Sequence, residues 1–396
     1  MRAKEFRRLV TDLARSGEAV LPRCRHAVEC GGCAFQDRAY SAQIAAKRTA
    51  LGRVFTEVGA PTMTAAGDLE LVPSPDPFGY RTRMDYVTTR GRFGLRARGR
   101  FSQVVDLEEC HLIPPVAFAA ARAVWAKARA LDLPDYDVRR HEGFLRYIVV
   151  RRSPDNELLL ATVTAAGEPE EAMERLAAAA LEQPGVVGFH WLRNDSLTDL
   201  SFGVAVRHWG AATLSMRVGR LRLAIGPNTF FQNNVHLLER LLDDVSAAVE
   251  PGSRAVADLY GGVGLIALTL APRAASVVCV EAIEESATLA RENAASNGVA
   301  NVQIIAADVA AYLRAQGPGA FDVMVLDPPR TGLGPDVCRE VLRIGPRRIV
   351  YVSCNPLSQI EDLRMLAPVY AARFLRGYDM FPHTPHVETL AVLDRA

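Results

Sequence analysis

The strongest constraint on this chain is a change of rhythm near residue 230. Beyond it, strand-like apolar runs at 255–260, 277–281, 302–306, 322–327 and 348–352 alternate with helical stretches. That alternation predicts βαβ units and therefore a parallel sheet. The last two runs, 372–378 and 387–393, are joined by too few residues for a helical crossover, so they predict an antiparallel pair. The outcome is an α/β domain over 230–396. Ligands of open α/β sheets collect outside the carboxyl ends of the strands. Residues just past each run are therefore the first candidates for chemistry.

Before residue 230 the pattern is α+β. Residues 1–20 read as a short basic lead-in, a frayed helix. Residues 36–58 read as an amphipathic helix, with Tyr40, Ile44, Leu51, Val54 and Phe55 near helical spacing. Alternation and glycines over 80–107 predict antiparallel strands. An Ala-rich helix follows at 114–131, then a hairpin of 144–151 and 157–164 closed by Ser153-Pro-Asp-Asn156. A helix at 168–182 and short strands to about 225 complete the region. The domains expected are 1–20, 21–229 and 230–396.

With 396 residues, 49% hydrophobic and 23% charged, the chain is globular and can bury a core. Its net charge of +1 leaves any nucleic-acid surface to a local patch. No apolar run is long enough to span a membrane, and the first ten residues lack a signal-peptide pattern. A cytoplasmic protein is expected, with no membrane and no obligate protein partner. Its seven cysteines are then ligands, nucleophiles or buried apolar groups rather than a disulfide framework.

Three motifs fall at predicted strand ends. Asp258-Leu-Tyr-Gly-Gly-Val-Gly264 puts glycines where a strand turns sharply into a helix, so backbone can approach a ligand. The next strand ends in Glu281, where a carboxylate can accept from ribose hydroxyls. Ala267 stands where the third glycine of a dinucleotide fingerprint would be, which favours S-adenosylmethionine. Asp327-Pro-Pro-Arg330 is a turn stiffened by two prolines. An aspartate held there can hydrogen-bond a planar ligand edge, and Arg330 stands where amino-nitrogen methyltransferases carry an aromatic residue. Cys354, in Ser353-Cys-Asn-Pro356, emerges at a strand end. A thiol has no role in amino-nitrogen methylation, but it does in methylating an unactivated ring carbon. Uracil carbon 5 becomes nucleophilic once a thiolate adds to carbon 6, and a base must later remove the carbon 5 proton. Phe381-Pro-His-Thr-Pro-His-Val-Glu388 offers that base. Glu388 is the first choice, with His383 and His386 read as structural groups or substrate contacts. Cys279 and Cys338 read as buried.

Cys24, Cys30 and Cys33, with Cys110 as a fourth, suit iron–sulfur or zinc. Their spacing differs from that of radical S-adenosylmethionine enzymes. Arg81, Arg83, Arg90, Arg92, Arg96, Arg98 and Arg100 lie between the cluster and Cys110. They are either a phosphate-gripping patch or an ordinary solvated face.

The Cys24–Gln36 cluster, Phe230-Phe-Gln-Asn-Asn234, the Asp258 loop, Asp327-Pro-Pro-Arg330, Ser353-Cys-Asn-Pro356 and Phe381–Glu388 occur in this order. Over about residues 21–396 the ordered set resembles the RNA 5-methyluridine methyltransferases. The resemblance implies an α/β fold: a seven-stranded Rossmann-like methyltransferase domain beside an α+β central domain with a four-cysteine iron–sulfur site. It implies Cys354 as nucleophile and Glu388 as base, with Gln232, Tyr260, Glu281, Asp308 and Asp327 binding cofactor or target. It implies S-adenosylmethionine and a [4Fe–4S] cluster on Cys24, Cys30, Cys33 and Cys110. It also implies an early crossover of the chain that sets the 36–58 helix against the catalytic domain. Gly261 stands where many members carry cysteine, a change expected to matter little. The partner expected is RNA, with 23S ribosomal RNA favoured over transfer RNA because the cysteines resemble those of the ribosomal enzymes. The competing readings are an amino-group methyltransferase and a non-catalytic iron–sulfur RNA-binding factor.

Overall fold

The computed structural model describes residues 3–56, 69–167 and 169–396. Residues 57 and 58 of the expected second helix, Glu168 at the start of the fourth, and Met1 and Arg2 of the lead-in lie outside the described residues.

The rhythm after residue 230 folds into one large sheet. Ser253–Leu259 lies between Ala274–Glu281 and Val323–Leu326 and is parallel to both. Val302–Ala306 extends the sheet on one side, and Arg348–Ser353 on the other. Glu388–Arg395 pairs antiparallel with Arg348–Ser353, and Tyr370–Tyr378 antiparallel with Glu388–Arg395. The strand order reverses at Ser253–Leu259, so a crevice opens at its carboxyl end.

An eighth strand exceeds the seven expected. Glu70–Val72 pairs parallel with Tyr370–Tyr378 and covers what would be an open edge. Three residues are too few to show a period, so no pattern announces this strand. Two features hold it. Arg376 pairs with Glu70 at 2.6 Å, and Gly377 leaves room for Leu51 and Leu71, whose Cδ1 atoms would each lie 2.8 Å from an added Cβ.

The central region forms a seven-stranded sheet. The expected hairpin is Leu145–Arg152 against Leu158–Thr164, antiparallel as its turn residues predict. Leu158–Thr164 runs parallel to Val186–Arg193, and helix Glu170–Leu181 makes the crossover. Helix Pro115–Ala130 packs with it over an aromatic core of Tyr86, Phe93, Phe118, Trp125 and Phe189. The hairpin Leu214–Val218/Leu221–Ile225 buries its apolar face with Val263, Leu265, Leu268 and Leu289, from the loop and helices that flank the large sheet. It belongs physically with the residues after 230, although the sequence reading grouped it with those before.

The N-terminus differs most from expectation. The lead-in is an ordered helix, Ala3–Arg15, whose Phe6, Val10 and Ala14 are buried at i, i+4 and i+8. It packs on helix Tyr40–Thr56, and Gly17 allows the approach, since a Cβ there would meet Ala42 Cβ at 2.5 Å. Both helices share a core with Leu326, Ile349, Tyr351 and Leu366. The first segment of the chain therefore packs on its last sheet.

Candidate active site and cysteine centre

The Asp258 loop is built by its own backbone. Tyr260, Gly262 and Gly264 have φ of 67°, 55° and 87°, a region that costs a non-glycine residue strain. Asp258 Oδ2 accepts from Ala267 N at 2.9 Å and ties the loop to the helix that follows, while Oδ1 is buried with no partner. Burial, followed by the charges of Asp327 and Glu281, pushes its carboxyl up to about 7. Glu281 accepts from Gly262 N at 2.9 Å and Ile283 N at 2.8 Å. A carboxylate has further lone pairs for a ligand. Beneath the loop, a Cβ on Gly261 would sit 2.2 Å from Cys279 Sγ. Glycine at 261 therefore matters: the buried Cys279 requires it. Phe230, Phe231, Gln232 and Asp327 join this loop around a cleft. Asp308 is exposed and its carboxylate caps helix Val309–Arg314 through Ala311 N at 2.9 Å, while its charge acts on Tyr260 at the cleft.

Cys354 occupies the gap between a strand and a helix. Arg348–Ser353 ends, Asn355 caps the next helix through Leu357 N, and Pro356 takes its first position. Ser353 Oγ accepts from Asn355 N at 3.1 Å and tightens the turn. Thr389 pairs with Ser353 across the antiparallel ladder, which brings Glu388 alongside Cys354. Burial and then the Glu388 charge push the thiol up to about 12, while Arg330 pulls it down. Glu388 is 1% exposed and its Oε1 has no partner. Burial, then Asp327, drives its carboxyl well above the usual range. Asp327 is itself raised to about 7 by burial, which the hydrogen bond from Gln232 Nε2 at 3.3 Å opposes. Four of the expected residues, Gln232, Asp327, Cys354 and Glu388, are thus brought together.

The histidines divide. His386 Nδ1 lies 2.7 Å from Arg330 Nη2 at the edge of the site. His383 is buried, bound through its ring to Gln43 at 3.2 Å, and accepts at its carbonyl from Ala34 N at 2.7 Å. Sequence reasoning missed Asp362. Its carboxylate accepts from Leu333 N, Gly334 N and the Tyr351 hydroxyl at 2.8, 3.1 and 2.6 Å. It fixes the loop after Asp327-Pro-Pro-Arg330, and no local pattern announces it. Cys338 is buried beside it.

Cys24, Cys30 and Cys33 are buried and Cys110 is half-buried. Among the described residues, no group of three or more His, Cys, Asp and Glu side chains stands in position to hold a metal ion. The four thiols nonetheless share one region. Each of Cys24, Cys30 and Cys33 feels Cys110, and burial raises Cys30 to about 11 and Cys33 to about 12. Gly32 N approaches Cys30 Sγ at 3.4 Å and Gln36 Nε2 approaches Cys33 Sγ at 3.5 Å. Two of the four soft sulfur donors thus have N–H partners.

The arginine run is mostly committed to the fold. Arg83 binds Asp85, Pro227 O and Ser201 O. Arg90 pairs with Asp137 and Arg96 with Asp199. Arg98 donates to Ala27 O and Cys33 O, bracing the cysteine loop.

A parallel sheet with a glycine-bearing ligand loop, an acid on the next strand and a polar crevice at the switch point defines a Rossmann-like methyltransferase. Residues 211–396 match the family described as tRNA (Uracil-5-)-methyltransferase. An uncharacterized RNA methyltransferase of Caldanaerobacter subterraneus is 33% identical over 98% of this chain and 88% of its own. The tRNA (uracil(54)-C(5))-methyltransferase of Pyrococcus abyssi is 32% identical over 94% of this chain and 85% of its own. The solved structure of the P. abyssi enzyme, in complex with S-adenosyl-L-homocysteine, matches with a TM-score of 0.78 at 31% identity, covering 92% of this chain and 86% of that one. The chain belongs to the RNA 5-methyluridine methyltransferase family, the S-adenosylmethionine-dependent RNA uracil-C5 enzymes.

Proposed function

We propose that this enzyme methylates carbon 5 of a specific uridine in transfer RNA. The observation that carries it is the meeting of Cys354, Glu388 and Asp327 beside the Asp258 loop. S-adenosylmethionine bound at that loop would supply an electrophilic methyl group, with Gln232, Tyr260, Glu281 and Asp327 the candidates to hold it. The Cys354 thiolate adds to uracil carbon 6, carbon 5 takes the methyl group, and Glu388 removes the carbon 5 proton so that the sulfur leaves. In the resting site burial raises both the Glu388 carboxyl and the Cys354 thiol above their ordinary values, and Arg330 is the cation that favours the thiolate. Asp308, whose charge acts on Tyr260, remains a further candidate for a cofactor contact.

The substrate class follows the relatives. The Pyrococcus enzymes are named for uridine 54 of tRNA, which turns the preference from 23S ribosomal RNA to transfer RNA. For the four cysteines we propose a structural [4Fe–4S] cluster, supported by the shared region and its donors to sulfur. It would brace the loop that Ala34 ties to His383, five residues before Glu388.

The test is labelled S-adenosylmethionine with 5-fluorouridine-substituted tRNA and 23S rRNA, alongside C354A. Fluorine cannot leave as a proton, so the reaction stalls as a covalent adduct. An adduct of wild type with tRNA and none with C354A supports the reading. Methyl transfer that persists in C354A overturns the thiolate mechanism, and an adduct confined to 23S rRNA restores the ribosomal substrate.

A further inference from the structure

We infer that Phe101 is a base-stacking platform for a nucleotide flanking the target uridine, at the wall of a basic track leading to the active site. This rests on the RNA reading above. Phe101 is 64% exposed. A single exposed aromatic residue is ordinary on a protein surface, but this one is mounted. The Arg96 guanidinium lies 4.5 Å from its ring centroid and covers one face. Arg96 is itself pinned, by Asp199 at 2.5 Å and by a hydrogen bond to Phe101 O at 2.9 Å. The Tyr147 hydroxyl donates to the same Asp199 at 2.5 Å. A ring fixed in this way loses little freedom when a base settles on its other face.

Location supplies the second argument. Phe101 lines an open hollow with Arg81, Arg98 and Arg100, and Thr384, Pro385 and His386 line the same hollow. His386 touches Arg330, whose charge acts on Cys354. A second hollow shares Ala97, Arg98 and Arg100 with the first and continues to Arg90 and Arg92. Of the acids along this path, Asp85 is held by Arg83 and Asp106 by Arg122, Asp137 pairs with Arg90, and Glu29 lines the hollow with Arg92, Arg98 and Arg100. The path is thus a basic channel that ends at the catalytic loop, the form that single-stranded nucleic acid requires. A uridine that leaves its stack to reach Cys354 deprives its neighbour of a stacking partner. An exposed aromatic ring on the route replaces that partner.

The experiment compares wild type, F101A, F101L and F101W for binding and methylation of an unmodified tRNA transcript, across a salt series, with S-adenosylhomocysteine affinity measured in parallel. F101A and F101L are expected to bind RNA about tenfold more weakly, within the range of one lost base–aromatic stack. F101W restores binding. Because stacking releases no counterions, the slope of log affinity against log salt stays that of wild type, whereas R100A lowers it. S-adenosylhomocysteine affinity is unchanged throughout. F101A and F101L that bind as wild type overturn the inference, as does an equal loss in F101A and F101W. If wild type forms no 5-fluorouridine adduct with any RNA, the RNA reading itself falls and takes this inference with it.

Discussion

One loop carries two buried ionisable sites of opposite character. At its start, Asp379 meets Lys47 Nζ at 2.5 Å and the Tyr40 hydroxyl at 2.9 Å, and Lys47 also donates to Phe381 O at 3.0 Å. Both charged side chains are fully enclosed. At its end, Glu388 is equally enclosed but keeps an oxygen without a partner, beside a raised thiol and a raised Asp327. In the first site the ammonium and both carboxylate oxygens have partners within the fold. The second stores unsatisfied polarity, which is costly to folding and available to a substrate. The contrast separates architecture from chemistry within a single loop.

Substitutions should break the two ends differently. The largest effect is expected for C354A, with complete loss of the 5-fluorouridine adduct and a melting temperature near that of wild type, read by gel shift and calorimetry. E388Q should leave methylated RNA attached to Cys354 with ordinary, unfluorinated substrate, because the carbon 5 proton cannot depart. Its turnover falls by about 10²–10⁴-fold, the usual worth of a general base, while single-turnover methyl transfer persists. At the other end, K47M strands a buried carboxylate and costs about 3–5 kcal/mol of stability, measured as a lowered denaturant midpoint. A K47M protein as stable as wild type would erase the contrast.

Smaller effects test the stored polarity itself. Asp258 is raised to about 7 in the fold, so its contribution is fully present below the unfolded carboxylate value and is lost as pH rises through about 7. D258N should therefore stabilise more at pH 8 than at pH 5, by about 2 kcal/mol; equal shifts at both would refute the assignment. Loss of the Arg330 charge in R330Q moves the Cys354 thiol further up. Alkylation of Cys354 at pH 8, followed by mass spectrometry, should slow by less than about tenfold.

The sequence made the second site legible and left the first dark. Cys354, Asp327 and the Asp258 loop lie where apolar runs stop and turn residues begin, so chemistry and local pattern coincide. The Lys47–Asp379 pair has no such signature, because its partners are 332 positions apart. Asp362 escapes for the same reason, since its donors come from a loop and a strand distant in sequence. The N-terminal helix is easily misread because its basic residues draw attention from the Phe6, Val10 and Ala14 stripe. Gly261 looks replaceable because its constraint comes from Cys279 on a neighbouring strand. The arginine run looks larger than it is, since pattern alone does not tell a solvent-facing guanidinium from one bound to Asp199 or Cys33 O.

The crossing of the first segment onto the last sheet sets a schedule for synthesis. Phe6, Val10, Lys47 and Leu51 leave the ribosome long before Tyr351, Asp379 and Leu393 exist to receive them. At about 5–20 residues per second, the 332 positions between Lys47 and Asp379 amount to a wait on the order of tens of seconds. Through that interval the two N-terminal helices present an apolar stripe with no native surface to cover it. The nascent chain is then a client for holdase chaperones, and slowing translation late in the message should lengthen that dependence.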